Sequence, residues 1–207
     1  RQSIILFTIF LLALAVRVSL APFIPGYISD MGCFQGWADQ VAKVGFSQFY
    51  SSDIFVDYPP GYILVLYPIG KIRMLFNLNF NSPLFLLLVK LPSLITDLAS
   101  GYLLLCAARK AKLNFSLPLL LVLYLFNPAI LINSAAWGQI DSFFTFLVIL
   151  SLWFIEEKRF PFASAIMVYA LLVKPQALFF FPILLFVLLE NKNWKTFLQS
   201  VVAGLAV

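Results

Sequence analysis

The sequence predicts an all-α fold: a polytopic bundle of transmembrane helices with one long outer-face loop that carries interfacial helices. Three observations predict it. Apolar and aromatic residues make up 62% of the 207 and charged ones 11%, against about 45–50% and ~25% in a soluble domain, and mean hydropathy is +0.98. The apolar residues come in runs near the ~20 residues that a helix needs to cross a hydrocarbon core about 30 Å thick. Basic clusters punctuate those runs. Such a composition excludes an ordinary soluble globule and a disordered chain. The 14 Lys and Arg, set against 9 Asp and Glu, are too scattered for a nucleic-acid stripe. With no His and only two Cys, a zinc site and a His-based triad are excluded within these residues. The chain opens on Arg1 and stops inside an apolar run, so residues 1–207 read as one transmembrane module, the N-terminal part of a longer protein.

The elements follow in order. Residues 4–24 form a span, too long for a cleaved signal and without a clear small-residue cleavage site. Residues 83–108 and 115–136 also have spanning length, and 137–155 is slightly short. Residues 160–173 and 175–189 are shorter still, ~21–23 Å each at 1.5 Å per residue. They meet at Lys174-Pro175, which suits tilted or half-inserted helices. Residues 196–207 begin another run. No internal repeat and no soluble domain is visible.

The positive-inside rule orients the bundle. Arg1, Arg109-Lys110-Lys112, Lys158-Arg159 and Lys192-Lys195 are the cytoplasmic clusters. They share one side only if residues 61–76, which contain Pro68 and Gly70, form an interfacial or re-entrant helix rather than a crossing. Residues 25–82 are then one outer-face loop, and 133–142 is an outer turn. Asp30, Asp39, Asp53, Asp57 and Asp141 fall outside, Asp97 within a span, and Glu156, Glu157 and Glu190 inside. Cys33 and Cys106 fall near opposite faces, too far apart for a disulfide.

The outer loop carries the candidate chemistry. Ser29-Asp30 precedes an apolar stripe of Phe34, Trp37, Val41 and Val44, and Gly45 follows. This predicts a helix over 31–44, lying on the membrane surface, with Asp30 as its N-cap or as a functional acid. Asp30 and Trp37, seven apart, share a face. Asp39 lies on the opposite face, in reach of a solvated pair with Lys43. In Asp57-Tyr58-Pro59-Pro60-Gly61-Tyr62 two prolines stiffen the entry to the next helix, either as a plain turn or as a mount for Asp57 and Tyr58. Lys90, Ser93 and Asp97 share one face of the second span. A charge at mid-span costs about 2.5–3.5 kcal/mol, so these residues face the bundle, as an internal ion pair or a wet site. Arg17, near the outer end of the first span, either snorkels to the interface or serves the site.

These segments occur in a telling order: Asp30 before Trp37, DYPPGY, KLPSLITD, NPAILINSAAWGQIDS and KPQ. The chain resembles the N-terminal half of the polytopic GT-C glycosyltransferases that use polyprenyl- or dolichyl-phosphate sugars. It is similar to the dolichyl-phosphate-glucose enzymes of N-glycan assembly, and its WGQID and KPQ forms to bacterial proteins like the mannosyltransferase that adds the second mannose of GPI anchors. The resemblance implies a general base at Asp30. It implies substrate-binding roles for Arg17, Trp37, Asp57, Tyr58, Lys90, Asp97, Gln139, Asp141, Lys174 and Gln176, with Arg17, Lys90 and Lys174 as the cations that meet the leaving phosphate. The implied partners are a polyprenyl- or dolichyl-phosphate sugar donor, an acceptor that is a lipid-linked glycan, glycolipid or protein, and membrane lipids, with no nucleic acid. The implied membrane is a bacterial or archaeal cell membrane, with the ER membrane as the alternative. Trp137 and Asp141 stand where the glucosyl enzymes have His and Asn. No cofactor is expected, yet Asp141 leaves room for a second acid or for a divalent metal held with Asp30. Asp30, Asp57 and Asp141 are expected to share one outer groove with Lys90, Asp97 and Lys174. Two other classes remain, a secondary transporter using Lys90, Asp97 and the break at Lys174-Pro175, and a non-catalytic membrane scaffold.

Overall fold

The computed structural model describes residues 1–51 and 53–207; Ser52, in the expected outer loop, lies outside the described residues. The described chain is all helical. Its elements are α1 (Gln2–Leu20), α2 (Ile28–Val44), α3 (Phe46–Phe49), α4 (Pro60–Leu75), α5 (Pro83–Lys110), α6 (Leu117–Leu125), α7 (Pro128–Leu131), α8 (Asp141–Glu156), α9 (Phe160–Val173), α10 (Phe181–Glu190) and α11 (Trp194–Leu205). A π-helical turn, Ile132–Trp137, continues α7, and a 3₁₀ stretch, Pro175–Phe180, leads into α10. Packing divides the chain into two compact units, Arg1–Val56 with Val65–Phe143, and Asp57–Leu64 with Phe144–Val207.

In the first unit, α1 buries Leu6, Ile9, Ala13 and Arg17, three or four apart, and leaves Ile4, Phe7, Leu11 and Leu12 exposed. One stripe therefore packs inward while the rest of the surface suits lipid. The stripe meets Leu105 of α5 and Leu121 and Leu125 of α6. Gly101 lets α6 approach, since a Cβ there would stand 3.0 Å from Leu125. Among the described helices, α1 and α5 alone are long and apolar enough to cross a membrane. The expected span over 115–136 is broken: Asn127 caps α7, accepting the Ala129 N–H at 2.9 Å, and the axis bends by 42°. Pro128 at the first helical position explains the break, because it lacks the N–H that would continue α6. The expected helix over 137–155 starts at Asp141 instead, because Gly138 takes φ +87° and turns the chain.

The helix expected over 31–44 starts at Ile28, with Tyr27 as its N-cap. It does not lie on the membrane by its apolar stripe. Met31, Phe34, Trp37, Ala38 and Val41 are buried within the protein. Gly70 of α4 packs on the Ala38 carbonyl, where a Cβ would come within 1.8 Å. Asp39 is buried rather than solvated: it pairs with Lys43 at 2.7 Å as expected, and also with Arg73 at 2.5 Å. Gln35 and Asn81 exchange hydrogen bonds of 3.0 and 2.8 Å, which ties the chain before α5 to α2. Residues 60–75 form one helix that runs through Pro68.

In the second unit, α8, α9 and α10 pack around Phe160, Ala163, Met167, Leu184 and Leu188. The Ser151 hydroxyl donates to the Ala163 carbonyl at 2.8 Å. Gly204 of α11 approaches Val168 of α9. Lys174 is extended, with φ −150° and ψ 123°, and ends α9, as expected of the residue before a proline. The Arg159 guanidinium lies 5.1 and 4.4 Å from the ring centres of Phe154 and Phe162. Cys33 and Cys106 form no disulfide.

Candidate active site

The site is built on the irregular segment 133–141 of the first unit. Its core, Ser134–Gln139, is held from behind by one face of α5. The Lys90 ammonium donates to the carbonyls of Ala135 at 2.9 Å and Ala136 at 3.1 Å, and to Ala21 at 3.2 Å and Ile24 at 2.7 Å. These carbonyls close α1 and the π-helical turn, and carbonyl ends of helices favour a cation. One turn on, the Ser93 hydroxyl donates to the Gln139 carbonyl at 2.8 Å. A further turn on, Asp97 accepts from the Ser134 hydroxyl at 2.6 Å and from Arg17 Nε at 2.9 Å. Arg17 also donates to the Ala13 and Leu125 carbonyls. The segment 134–139 is thus anchored at three levels of a single helix.

This geometry gives several of the expected site residues partners inside the bundle. Arg17 does not snorkel: it is fully buried, with its guanidinium bound inside the bundle. Lys90 and Asp97 are buried and engaged with backbone, Ser134 and Arg17. The internal ion pair left open by the sequence is Arg17–Asp97, between α1 and α5, not Lys90–Asp97. Trp37 is buried against Phe34, and its indole N–H donates to the Phe55 carbonyl at 2.7 Å. It ties α2 to the stretch before α4.

Asp30 is placed differently. It sits in the first turn of α2 but does not cap it, since α2 begins two residues earlier and Tyr27 makes no side-chain cap bond. The early start follows from Gly26, at φ +84°, and from the Tyr27 N–H, which donates to the Trp137 carbonyl at 3.0 Å. The Asp30 carboxylate is half-buried and accepts from the Gln139 side-chain amide through Oδ2. Gly138 permits this approach: a Cβ there would strike Met31 Sδ at 2.4 Å. Two residues beyond Gln139, Asp141 opens α8 and accepts from Asn133 Nδ2 at 3.2 Å. Asp30 and Asp141 are therefore served by one short turn. A half-buried carboxylate beside an amide, at a helix N-terminus, is suited to taking a proton from a hydroxyl.

Asp57, Tyr58, Lys174 and Gln176 belong to the second unit. Asp57 is exposed on the stretch before α4, and the Tyr58 ring lies 6.2 Å from that of Tyr62. Lys174 is half-buried at the end of α9, and Gln176 is exposed. Among the described residues no three His, Cys, Asp or Glu side chains gather in a metal-binding group. Residues not singled out as site groups are Asn133, which holds Asp141, and Ser134, which holds Asp97. Both lie in the NPAILINSAAWGQIDS segment, but only its π-helical turn brings them to those partners.

Residues 55–207 match the model of glycosyltransferase family 87. The chain belongs to this family. It is a membrane glycosyltransferase of the GT-C type, so the transporter and scaffold readings fall. No curated protein and no solved structure matches the chain. Among the candidate residues of this family 87 chain, Asp57, Tyr58, Lys90, Asp97, Gln139, Asp141, Lys174 and Gln176 lie within the matched span. Arg17, Asp30 and Trp37 precede it.

Proposed function

We propose that the protein transfers a hexosyl residue, mannose or glucose, from a polyprenyl- or dolichyl-phosphate sugar to an acceptor on the outer or lumenal face of its membrane, with inversion. In a prokaryote this is the cell membrane. The acceptor is a lipid-linked glycan, a glycolipid or a protein. Asp30 takes the proton of the acceptor hydroxyl. The oxygen then attacks the anomeric carbon as the bond from that carbon to the phosphate oxygen breaks, and the electron pair leaves with the lipid phosphate. The observation that carries the reading is that Asp30 is half-buried in the first turn of α2, oriented by Gln139 and not used as a cap. Lys174 is the candidate cation for the phosphate by resemblance. Asp57, Tyr58 and Gln176 remain substrate contacts by resemblance. The proposed reaction uses no metal; Asp30 and Asp141 each accept from an amide N–H through Oδ2.

The test is Asp30→Asn in a transfer assay with polyprenyl-phosphate mannose and glucose. Asn keeps an oxygen for Gln139 and removes the base. Transfer should fall by about 10²–10⁴-fold, with the melting temperature unchanged. Near wild-type transfer by Asp30→Asn would move the base to Asp141 or Asp57.

A further inference from the structure

We propose that Tyr27 and Trp137 form an aromatic platform that receives the apolar face of the acceptor's sugar ring beside Asp30; the placement rests on the reading of Asp30 as the base. The two rings lie 5.4 Å apart between centres with a tilt of 35°. Both are open to the outside, Tyr27 at 52% and Trp137 at 46%, whereas Trp37 is buried. Their mount is rigid. The Tyr27 N–H donates to the Trp137 carbonyl at 3.0 Å. Each ring is flanked by a glycine in the left-handed region, Gly26 at φ +84° and Gly138 at φ +87°. A Cβ at Gly26 would stand 2.5 Å from that same carbonyl, so the close approach tolerates no side chain.

Tyr27 precedes Asp30 by three residues, and Trp137 precedes Gln139 by two. The ring pair and the carboxylate–amide pair are thus consecutive cross-links between the same two segments. A cavity of about 300 Å³ adjoins the rings, lined also by Ile24, Gly26, Ile132 and Ala136. An aldopyranose has one face rich in C–H bonds and an edge of hydroxyls. The C–H face suits the negative face of an aromatic ring, and the hydroxyl edge suits a carboxylate next to an amide. The cavity lining is apolar; Asp30 and Gln139 lie outside it, three residues along from Tyr27 and two along from Trp137, so a ring on the apolar floor has polar groups next to it rather than beneath it. In a sugar-transferring enzyme, a ring seated here presents a hydroxyl toward Asp30.

Saturation-transfer NMR on the protein in lipid nanodiscs, with methyl α-mannoside and methyl β-glucoside, tests the platform without needing turnover. At least one glycoside should show saturated ring C–H protons in the wild type. The signal should fall to background in Trp137→Leu and in Tyr27→Leu, whose cap role is backbone only. It should return in Trp137→Phe and persist in Phe23→Leu, an exposed ring outside the cavity. Equal saturation in the wild type and Trp137→Leu would overturn the platform and leave the rings as anchors in the membrane interface. So would no saturation of either glycoside in the wild type. The base is judged separately: Asp30→Asn should keep the saturation and lose transfer. If Asp30→Asn keeps both, the base is wrong and the platform stands.

Discussion

Two sets of charged residues meet the same short turn of the first unit, and they differ in what their partners are. Arg17, Lys90 and Asp97 lie behind the turn, buried, and bind carbonyls, Ser134 and each other. Asp30 meets the turn from α2, half-buried, and its described contact is the Gln139 amide. The first set has the features often read as a mark of function in a membrane helix, yet the partners shown are carbonyls, a hydroxyl and each other. The lesson is that burial of a charge reports a need for partners, and that those partners must be identified before a role is assigned.

The comparison sharpens under substitution. Arg17→Ala should have the largest effect on stability, about 3–5 kcal/mol, because it leaves Asp97 buried without its cation. Thermal unfolding in nanodiscs reads this. The double variant Arg17→Met with Asp97→Leu should melt above the single one, since neither charge then stays unpaired. A double variant that melts as low as the single one would break the scaffold reading.

Lys90→Met should come next. It strands the carbonyls of Ala21, Ile24, Ala135 and Ala136, at about 1–3 kcal/mol for an unsatisfied buried group. The donor KM of the folded fraction should not move. A raised donor KM with an unchanged melting temperature would return Lys90 to the phosphate.

Gln139→Ala should leave stability nearly intact and lower the transfer rate, roughly 10-fold or more, since small errors in the placement of a reacting group are costly. If Gln139→Ala transfers at the wild-type rate, Gln139 does not position Asp30. Ser93→Ala removes one hydrogen bond from the far side of the turn and should cost about 1 kcal/mol, seen as a small drop in melting temperature. The smallest expected effect is that of a chelator: EDTA should leave the initial rate of transfer unchanged, and a rate restored only by added divalent cation would break the metal-free proposal.

Much of the architecture was legible in the residues. The apolar runs over 83–108 and 160–173 correspond to α5 and α9 within two residues at each end. Hydrophobicity is local, and a helix satisfies its own backbone, so such runs announce themselves. The one-face spacing of Lys90, Ser93 and Asp97 was equally plain, because it depends only on helical period. Their partners were not. Arg17 reaches Asp97 across 80 residues, and no local rule pairs them. The start of α2 was misplaced because its entry is set by a hydrogen bond to Trp137, 110 residues away, and not by a cap.

By itself, the sequence determined that this chain belongs in a membrane and where its long uninterrupted apolar helices, α5 and α9, lie; both are written in composition and short-range period. The tertiary structure decided which partners each charge meets. That decision depends on the break at Asn127-Pro128, the π-helical turn and two left-handed glycines, Gly26 and Gly138, which together bring Gln139 to Asp30 and the Tyr27 ring to the Trp137 ring. Irregular backbone has no period to read, and its shape is set by distant groups that satisfy its hydrogen bonds.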